Sequence, residues 1–237
     1  MVPEHSQPPA QINQSLVNGL TCLLRLASTR EAVGGRQLAR ELDLEPTCVN
    51  RLLGTMAHLG FAEKTADRKY RPGPAIHVLS AMSMRGSQLL NVALPHLRSL
   101  SADAGHAVAL GVLWRCHVCY LFHGREEALG KALAGADLFP ADKSSIGRIL
   151  LAQLSGADVL ARFAGVPEQG IDRSDMVKGL PRWRQQGYAE GPGDSPSLAV
   201  PVGNPPVAAI ALVGGRTDCL RHLPHLRETA KAITQLL

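Results

Sequence analysis

The chain has 237 residues and a net charge of +5, with 45% hydrophobic and 19% charged residues. That suits one large folded domain or two of ordinary size. It contains no apolar run of membrane-spanning length, and its first residues lack the basic-then-apolar order of an export signal. Residues 1–12 therefore read as a flexible leader on a cytoplasmic protein. The cysteines Cys22, Cys48, Cys116, Cys119 and Cys219 are odd in number, which argues against a disulfide framework. The positive charge is concentrated. Between residues 46 and 86, Arg51, Lys64, Arg68, Lys69, Arg71 and Arg85 stand against Glu63 and Asp67, giving +4 of the +5 in one stretch. Such a patch attracts phosphate or is an ordinary solvated surface.

The first predicted helix runs from about Ser15 to Ser28, with Leu16, Leu20, Leu23, Leu24 and Ala27 on one stripe at helical spacing. A loop over 29–35 follows, then a helix over Arg36–Leu42 with Leu38, Ala39 and Leu42 inward. Asp43-Leu44-Glu45 makes a tight turn, and Pro46 suits the first position of a third helix, where its missing N–H costs nothing. At 100° per residue, Val49, Leu52, Leu53, Met56 and Leu59 fall on one side of this helix, and Thr47, Asn50, Arg51, Gly54 and His58 on the other. The polar side has the composition of a major-groove reader, since Asn pairs with adenine and Arg with guanine or phosphate. Gly54 costs roughly 1 kcal/mol against Ala within a helix; close approach to a DNA backbone or tight packing against a neighbouring element would account for it.

Gly60 ends the helix as a C-terminal cap. Residues 61–64 and 68–71 read as two short strands joined by Thr65-Ala66-Asp67. This makes a winged helix–turn–helix, with Arg36, Thr47, Cys48, Asn50, Arg51, Arg68, Lys69 and Arg71 as candidate DNA contacts.

Pro72-Gly73-Pro74 breaks the chain before a helix over about Ala75–Met84, with Ala75, Val78, Leu79 and Met82 along one side. Another helix, Ser87–Ala104, contains Pro95 and carries Leu90, Ala93, Leu94, Leu97 and Leu100, as core or as a dimer seam. Strands follow at Ala107–Trp114, Cys116–His123 and Lys131–Ala134. Helices are expected at Ser144–Leu154, Ser155–Ala164 and Asp175–Gln186, a strand pair at Ser197–Val202 and Val207–Gly214, and a last helix at Leu220–Leu237. The fold class is α+β in two domains.

Along the chain stand Asn13-Gln-Ser-Leu16, Gln37-Leu-Ala-Arg-Glu-Leu42, Val49-Asn-Arg-Leu-Leu53 and Tyr70-Arg-Pro-Gly-Pro74, and then Ala93-Leu-Pro-His-Leu97, Ile146-Gly-Arg-Ile-Leu-Leu-Ala152, Gln186-Gly-Tyr-Ala189 and Leu198-Ala-Val-Pro-Val202. In these motifs and their order the chain resembles the IclR family of bacterial transcription regulators over about residues 13–237. It implies a winged helix–turn–helix over 13–74, a linker helix over 75–86 and a GAF-like α/β effector-binding domain over 87–237. It also implies a homodimer or homotetramer on palindromic double-stranded operator DNA, acting as repressor or activator and answering to a small organic effector bearing a carboxylate. No cofactor, metal or membrane is called for, and no catalysis. A basic residue common in the family is replaced by Pro46. The family's effector pocket maps onto Phe139, Ser144, Ser145 and Ile146 on one wall. On the other it maps onto Glu190 or Asp194 for an acid, with Ser197 where a Cys is usual. Ser144 and Ser145 would offer helix N–H groups to a carboxylate or simply cap the helix.

Cys116-His117-Val118-Cys119 invites a metal-site reading. Positions 116 and 119 of a strand point to opposite faces, so the two thiolates would not meet one zinc ion. His117, Cys119 and His123 would share a face, which leaves a metal-binding sensor or an enzyme built on the C-terminal domain as the alternative. No Ser–His–Asp set or paired carboxylates can be placed with useful spacing.

Overall fold

The computed structural model describes residues 11–29, 31–124, 138–166, 172–193 and 197–237. The leader up to residue 10, the strand expected at Lys131–Ala134 and Asp194 lie outside the described residues. The chain forms two compact units, one up to Ser87 and one from Gln88 to Leu237.

In the first unit α1 (Gln14–Ala27), α2 (Gly35–Leu42) and α3 (Pro46–His58) enclose a core of Cys22, Leu26, Leu38, Ala39, Val49 and Leu53. Asn13 caps α1 by accepting the Leu16 N–H. Asp43, in the left-handed conformation at φ 53°, turns the chain from α2 toward α3, and Pro46 opens α3 as its position predicts. Gly60 follows α3 at φ 78°, a conformation that a side chain would resist. The wing consists of β2 (Ala62–Lys64) and β3 (Lys69–Pro72). A third strand, β1 (Val33–Gly34), lies where a loop is expected and pairs with β3 through Val33↔Tyr70 and Gly34↔Lys69. Two residues are too few for an alternation signal, so nothing in the pattern announces it. Helix α4 (Pro74–Arg85) completes the unit.

One inward assignment is corrected, that of Leu59, and the α1 stripe takes the solvent side. In α1 the buried side chains are Cys22 and Leu26, while Leu16, Leu20 and Leu24 are 59%, 52% and 47% exposed. Small Gly19 and Cys22 lie on the buried side, with the Gly19 position beside Leu52 and Met56 of α3, so the leucine stripe faces outward. Leu59, assigned to the inward side of α3, is 58% exposed because it stands at the C-cap, beyond the last packed turn. Helix α4 buries no residue, and Val78, Leu79 and Met82 are all exposed.

The second unit begins with α5 (Gln88–Ala104), which contains Pro95 and buries Leu90, Ala93, Leu97 and Leu100. Its sheet is antiparallel, in the order β6-β5-β4-β9-β8-β7, from β4 (Ala107–Trp114), β5 (His117–Gly124), β6 (Phe139–Pro140), β7 (Ala189–Glu190), β8 (Ser197–Val202) and β9 (Ala208–Val213). Side chains alternate across it. One face carries Ala109, Gly111, Ala199, Ala209 and Ala211, packed by α6 (Ser145–Leu151). The other carries the large Val108, Leu110, Leu198, Val200, Ile210 and Leu212, toward α5 and α10 (Leu223–Leu236). Short α7 (Gly156–Arg162) packs against longer α8 (Arg173–Gln186), which in turn packs beside α6. The last helix expected at Leu220–Leu237 is two helices, α9 (Arg216–Arg221) and α10, separated at His222, where Pro224 at the start of α10 disfavours helical continuity.

A register shift between Leu110 and Gly111 places a β-bulge in β5 at Leu121, because Gly111 pairs with Tyr120 and Leu110 with Phe122. The bulge moves His123 to the Tyr120 face, where the two rings meet edge-on at 5.5 Å. His117 and Cys119 therefore do not share a face with His123. Cys116 lies in the turn before β5, its Sγ 3.3 Å from His117 Nδ1. Among the described residues no three His, Cys, Asp or Glu side chains converge as metal ligands.

Candidate functional site

Thr47, Asn50, Arg51, Gly54 and His58 are all exposed and fall on one face of α3, held by buried Val49 and Leu53. Arg51 has no ion-pair partner among the described residues, and its carbonyl accepts the Thr55 hydroxyl at 3.0 Å. A side chain at Gly54 would meet nothing within 4 Å. Packing against a neighbouring element therefore does not explain this glycine, and the helix backbone there lies open. Asn50 Oδ1 occupies the space that a side chain on Gly35 would need, which sets the amide over the start of α2. Cys48 is half-buried and turns away from the exposed face. Burial, and after it the nearby Cys48 thiol, raises the pKa of Cys22 on α1.

Arg36 is exposed at the start of α2. The wing cations divide. Lys69 binds Asp67 at 3.0 Å, and Arg71 makes a two-pronged contact with Glu63 at 2.7 and 2.8 Å. Arg68 sits at the turn at φ 62° with no ion-pair partner among the described residues. It is thus the wing cation least committed to the protein.

In the second unit a cavity of about 320 Å³ opens at the β7–β8 edge, lined by Glu190, Gly191, Gly193, Ser197, Leu198, Arg216 and Cys219. Of the residues expected around an effector, it contains Glu190 and Ser197. Ser145 joins through a 2.9 Å bond donated by Ser197. Ser144 caps α6, accepting the Gly147 N–H at 3.3 Å, and its hydroxyl lies 3.0 Å from that of Tyr120. Burial raises the pKa of the Tyr120 phenol, against the opposing effect of the Ser144 bond. Phe139 leans edge-on against Tyr120 at 6.2 Å, and Ile146 is core, packed toward Gly111; neither lines the cavity.

The cavity's charges are a pair: Arg216 Nε is 2.8 Å from Glu190 Oε2 and Nη2 donates to Oε1 at 3.2 Å. Arg148 secures the Glu190 backbone, donating to its carbonyl at 3.2 Å and to that of Asp142 at 3.2 Å while its guanidinium covers the Trp183 ring. The Cys219 thiol, its pKa raised by burial and then by Asp218, is turned to the carbonyls of Leu212 and Gly214. Sequence reasoning missed Arg216 and Cys219. They lie beyond the last strand, in a short helix with no motif of its own.

The comparisons with known proteins agree with this architecture. A family model of the IclR helix-turn-helix domain matches residues 15–66. The HTH-type transcriptional regulator BhcR of Paracoccus denitrificans is 28% identical over 177 residues, 70% of this chain and 63% of that protein. The acetate operon repressor of Salmonella typhimurium is 31% identical over 101 residues, 42% of this chain and 37% of that one. The chain thus matches less than two thirds of the length of these curated relatives. Among solved structures, an IclR family transcriptional regulator from Brucella abortus superposes with a TM-score of 0.81 at 24% identity, covering 100% of this chain and 96% of that one. An IclR homolog from Microbacterium hydrocarbonoxydans, complexed with 4-hydroxybenzoate, superposes with a TM-score of 0.69 at 24% identity over 94% and 98% of the two chains. The fold is therefore a winged helix–turn–helix followed by an α/β domain built on an antiparallel sheet, as in these IclR structures. No helix among the described residues is long and apolar enough to cross a membrane.

Proposed function

Residues 15–66 form an IclR helix-turn-helix domain in a chain with the IclR fold, and on that premise we propose that this protein is a cytoplasmic transcription regulator that binds operator DNA and answers to a small molecule held in its second unit. The observation that carries the reading is the exposed face of α3, where Asn50 and Arg51 stand beside an uncovered Gly54 backbone. In the major groove Asn50 pairs with a base edge, Arg51 with guanine or phosphate, and Gly54 lets the helix approach a strand closely. Arg68 at the wing turn reaches phosphate or the minor groove, with Lys69 and Arg71 joining at the expense of their carboxylate partners.

A second copy of the chain fits the same reading. Helix α1 exposes Leu16, Leu20 and Leu24, an apolar stripe that a monomer would leave in water. Pairing two winged helices gives the two-fold symmetry that a palindromic operator requires. The effector then acts by binding one arrangement of the assembly better than another, in the cavity lined by Glu190, Ser197 and Arg216. The role is that of a regulator and not of an enzyme.

Selection of bound duplexes from random-sequence DNA, at fixed salt, tests the proposal. An enriched palindrome whose affinity falls steeply with salt is expected. Recovery of no preferred sequence would overturn it.

A further inference from the structure

The cavity at the β7–β8 edge contains one acid and one base, bonded to each other. They differ in freedom. Glu190 is fixed: its strand pairs with β8 through Glu190↔Leu198, the Gly191 N–H reaches the Ser197 carbonyl at 2.8 Å, and Arg148 holds the Glu190 carbonyl. Its side chain is only 22% exposed, whereas that of Arg216, the first residue of α9, is 71% exposed and can swing.

A simple carboxylate entering this space meets the Glu190 carboxylate. If it draws Arg216 away, Glu190 is left half-buried without its counter-ion, a costly arrangement. A simple amine that takes Glu190 releases the exposed Arg216 into water, and so forfeits the contact that a ligand carboxylate would make with it. A ligand carrying both charges replaces each partner with its own. We propose that the cavity receives a zwitterion of the α-amino acid class, its ammonium bound to Glu190 and its carboxylate to Arg216. The Ser197 hydroxyl donates to Ser145, so its oxygen retains lone pairs for another ammonium hydrogen. Leu198 and the Cys219 thiol, engaged with main-chain carbonyls, form a neutral wall for the ligand's side chain. A volume of about 320 Å³ suits a molecule of this size. The inference rests on the reading of this cavity as the effector site.

The test is a series of thermal melts of the full chain with each standard α-amino acid, then with the des-amino acid and decarboxylated amine of any that stabilise it. At least one amino acid raises Tm, and its two truncated forms fail at the same concentration. By calorimetry, Glu190→Gln and Arg216→Gln each weaken binding by about tenfold or more, which is about 1.4 kcal/mol. The inference is overturned if no amino acid stabilises the chain, if the des-amino acid serves equally well, or if Glu190→Gln binds unchanged. DNA binding is measured separately without ligand. Failure of the amino acids with intact DNA binding removes this inference alone, whereas failure to bind DNA removes the regulator reading.

Discussion

Ser197 on β8 donates a hydrogen bond of 2.9 Å to Ser145, the first residue of α6. This one bond joins the cavity's edge to a helix packed across the small-residue face of the sheet. A change at the cavity therefore has a direct route into the domain's core. Ser197→Ala should leave the fold intact and lower the affinity of any cavity ligand by about 0.5–1.5 kcal/mol, the usual net value of one hydrogen bond. Calorimetric titration of variant and parent measures the difference.

Arg51→Ala should weaken operator binding by about 1–3 kcal/mol and relax sequence preference at one position if Arg51 pairs with a base. A gel shift at fixed salt with the selected operator and single-base variants reads both effects. Equal affinities for variant and parent would place Arg51 outside the interface.

Arg68 and Arg71 should behave differently despite their proximity. Arg68→Ala removes a cation with no ion-pair partner among the described residues. The slope of log K against log salt should flatten by about 0.9 if it contacts one phosphate. Arg71→Ala also releases the Glu63 carboxylate that Arg71 now neutralises, so it should cost more affinity than the loss of one cation. Glu63→Gln in the same background should recover part of that loss.

Gly54→Ala separates stability from binding. The added methyl meets nothing in the unbound protein, and Ala favours helix over Gly by roughly 1 kcal/mol. The urea midpoint should rise. DNA affinity should fall if the backbone at this position approaches a phosphate strand. A stability gain with unchanged affinity would refute the close approach.

Leu20→Glu and Leu24→Glu place charge on side chains already half in water, so the monomer should keep its secondary structure. Sedimentation should show a shift toward smaller species, and operator affinity should drop with it. An unchanged sedimentation profile would move the dimer contact elsewhere.

The legible parts of the sequence were those with a strong local cause. Pro46 and the phase of α3 located the exposed face. The apolar, β-prone run Ala107–Trp114 and the strand expected at Ser197–Val202 match the observed strands residue for residue. The parts that were not legible depended on a partner segment. The α1 stripe was correctly periodic, but periodicity gives the spacing of a face and not which side is covered. Here small Gly19 and Cys22 meet α3 and the leucines do not. The Leu121 bulge arises from pairing with β4 and has no signature within β5. Arg216 entered the cavity because β7 brings Glu190 to it across 26 residues of sequence, a proximity no local pattern encodes.

The asymmetry of the large sheet works as a spacer. Ala109, Gly111, Ala199, Ala209 and Ala211 put little side-chain bulk beneath α6, and Ile146 of that helix packs toward Gly111. An added methyl group on these strands meets the packed Ile146 and Ile149 of α6, and a core this dense takes it up only by shifting the helix or straining its side chains. Hydrophobic enlargement here, harmless by composition, would translate Ser145 away from Ser197 and detune the cavity without touching any of its lining. Variants that bind a cavity ligand poorly can therefore arise from alanines that line no part of the cavity.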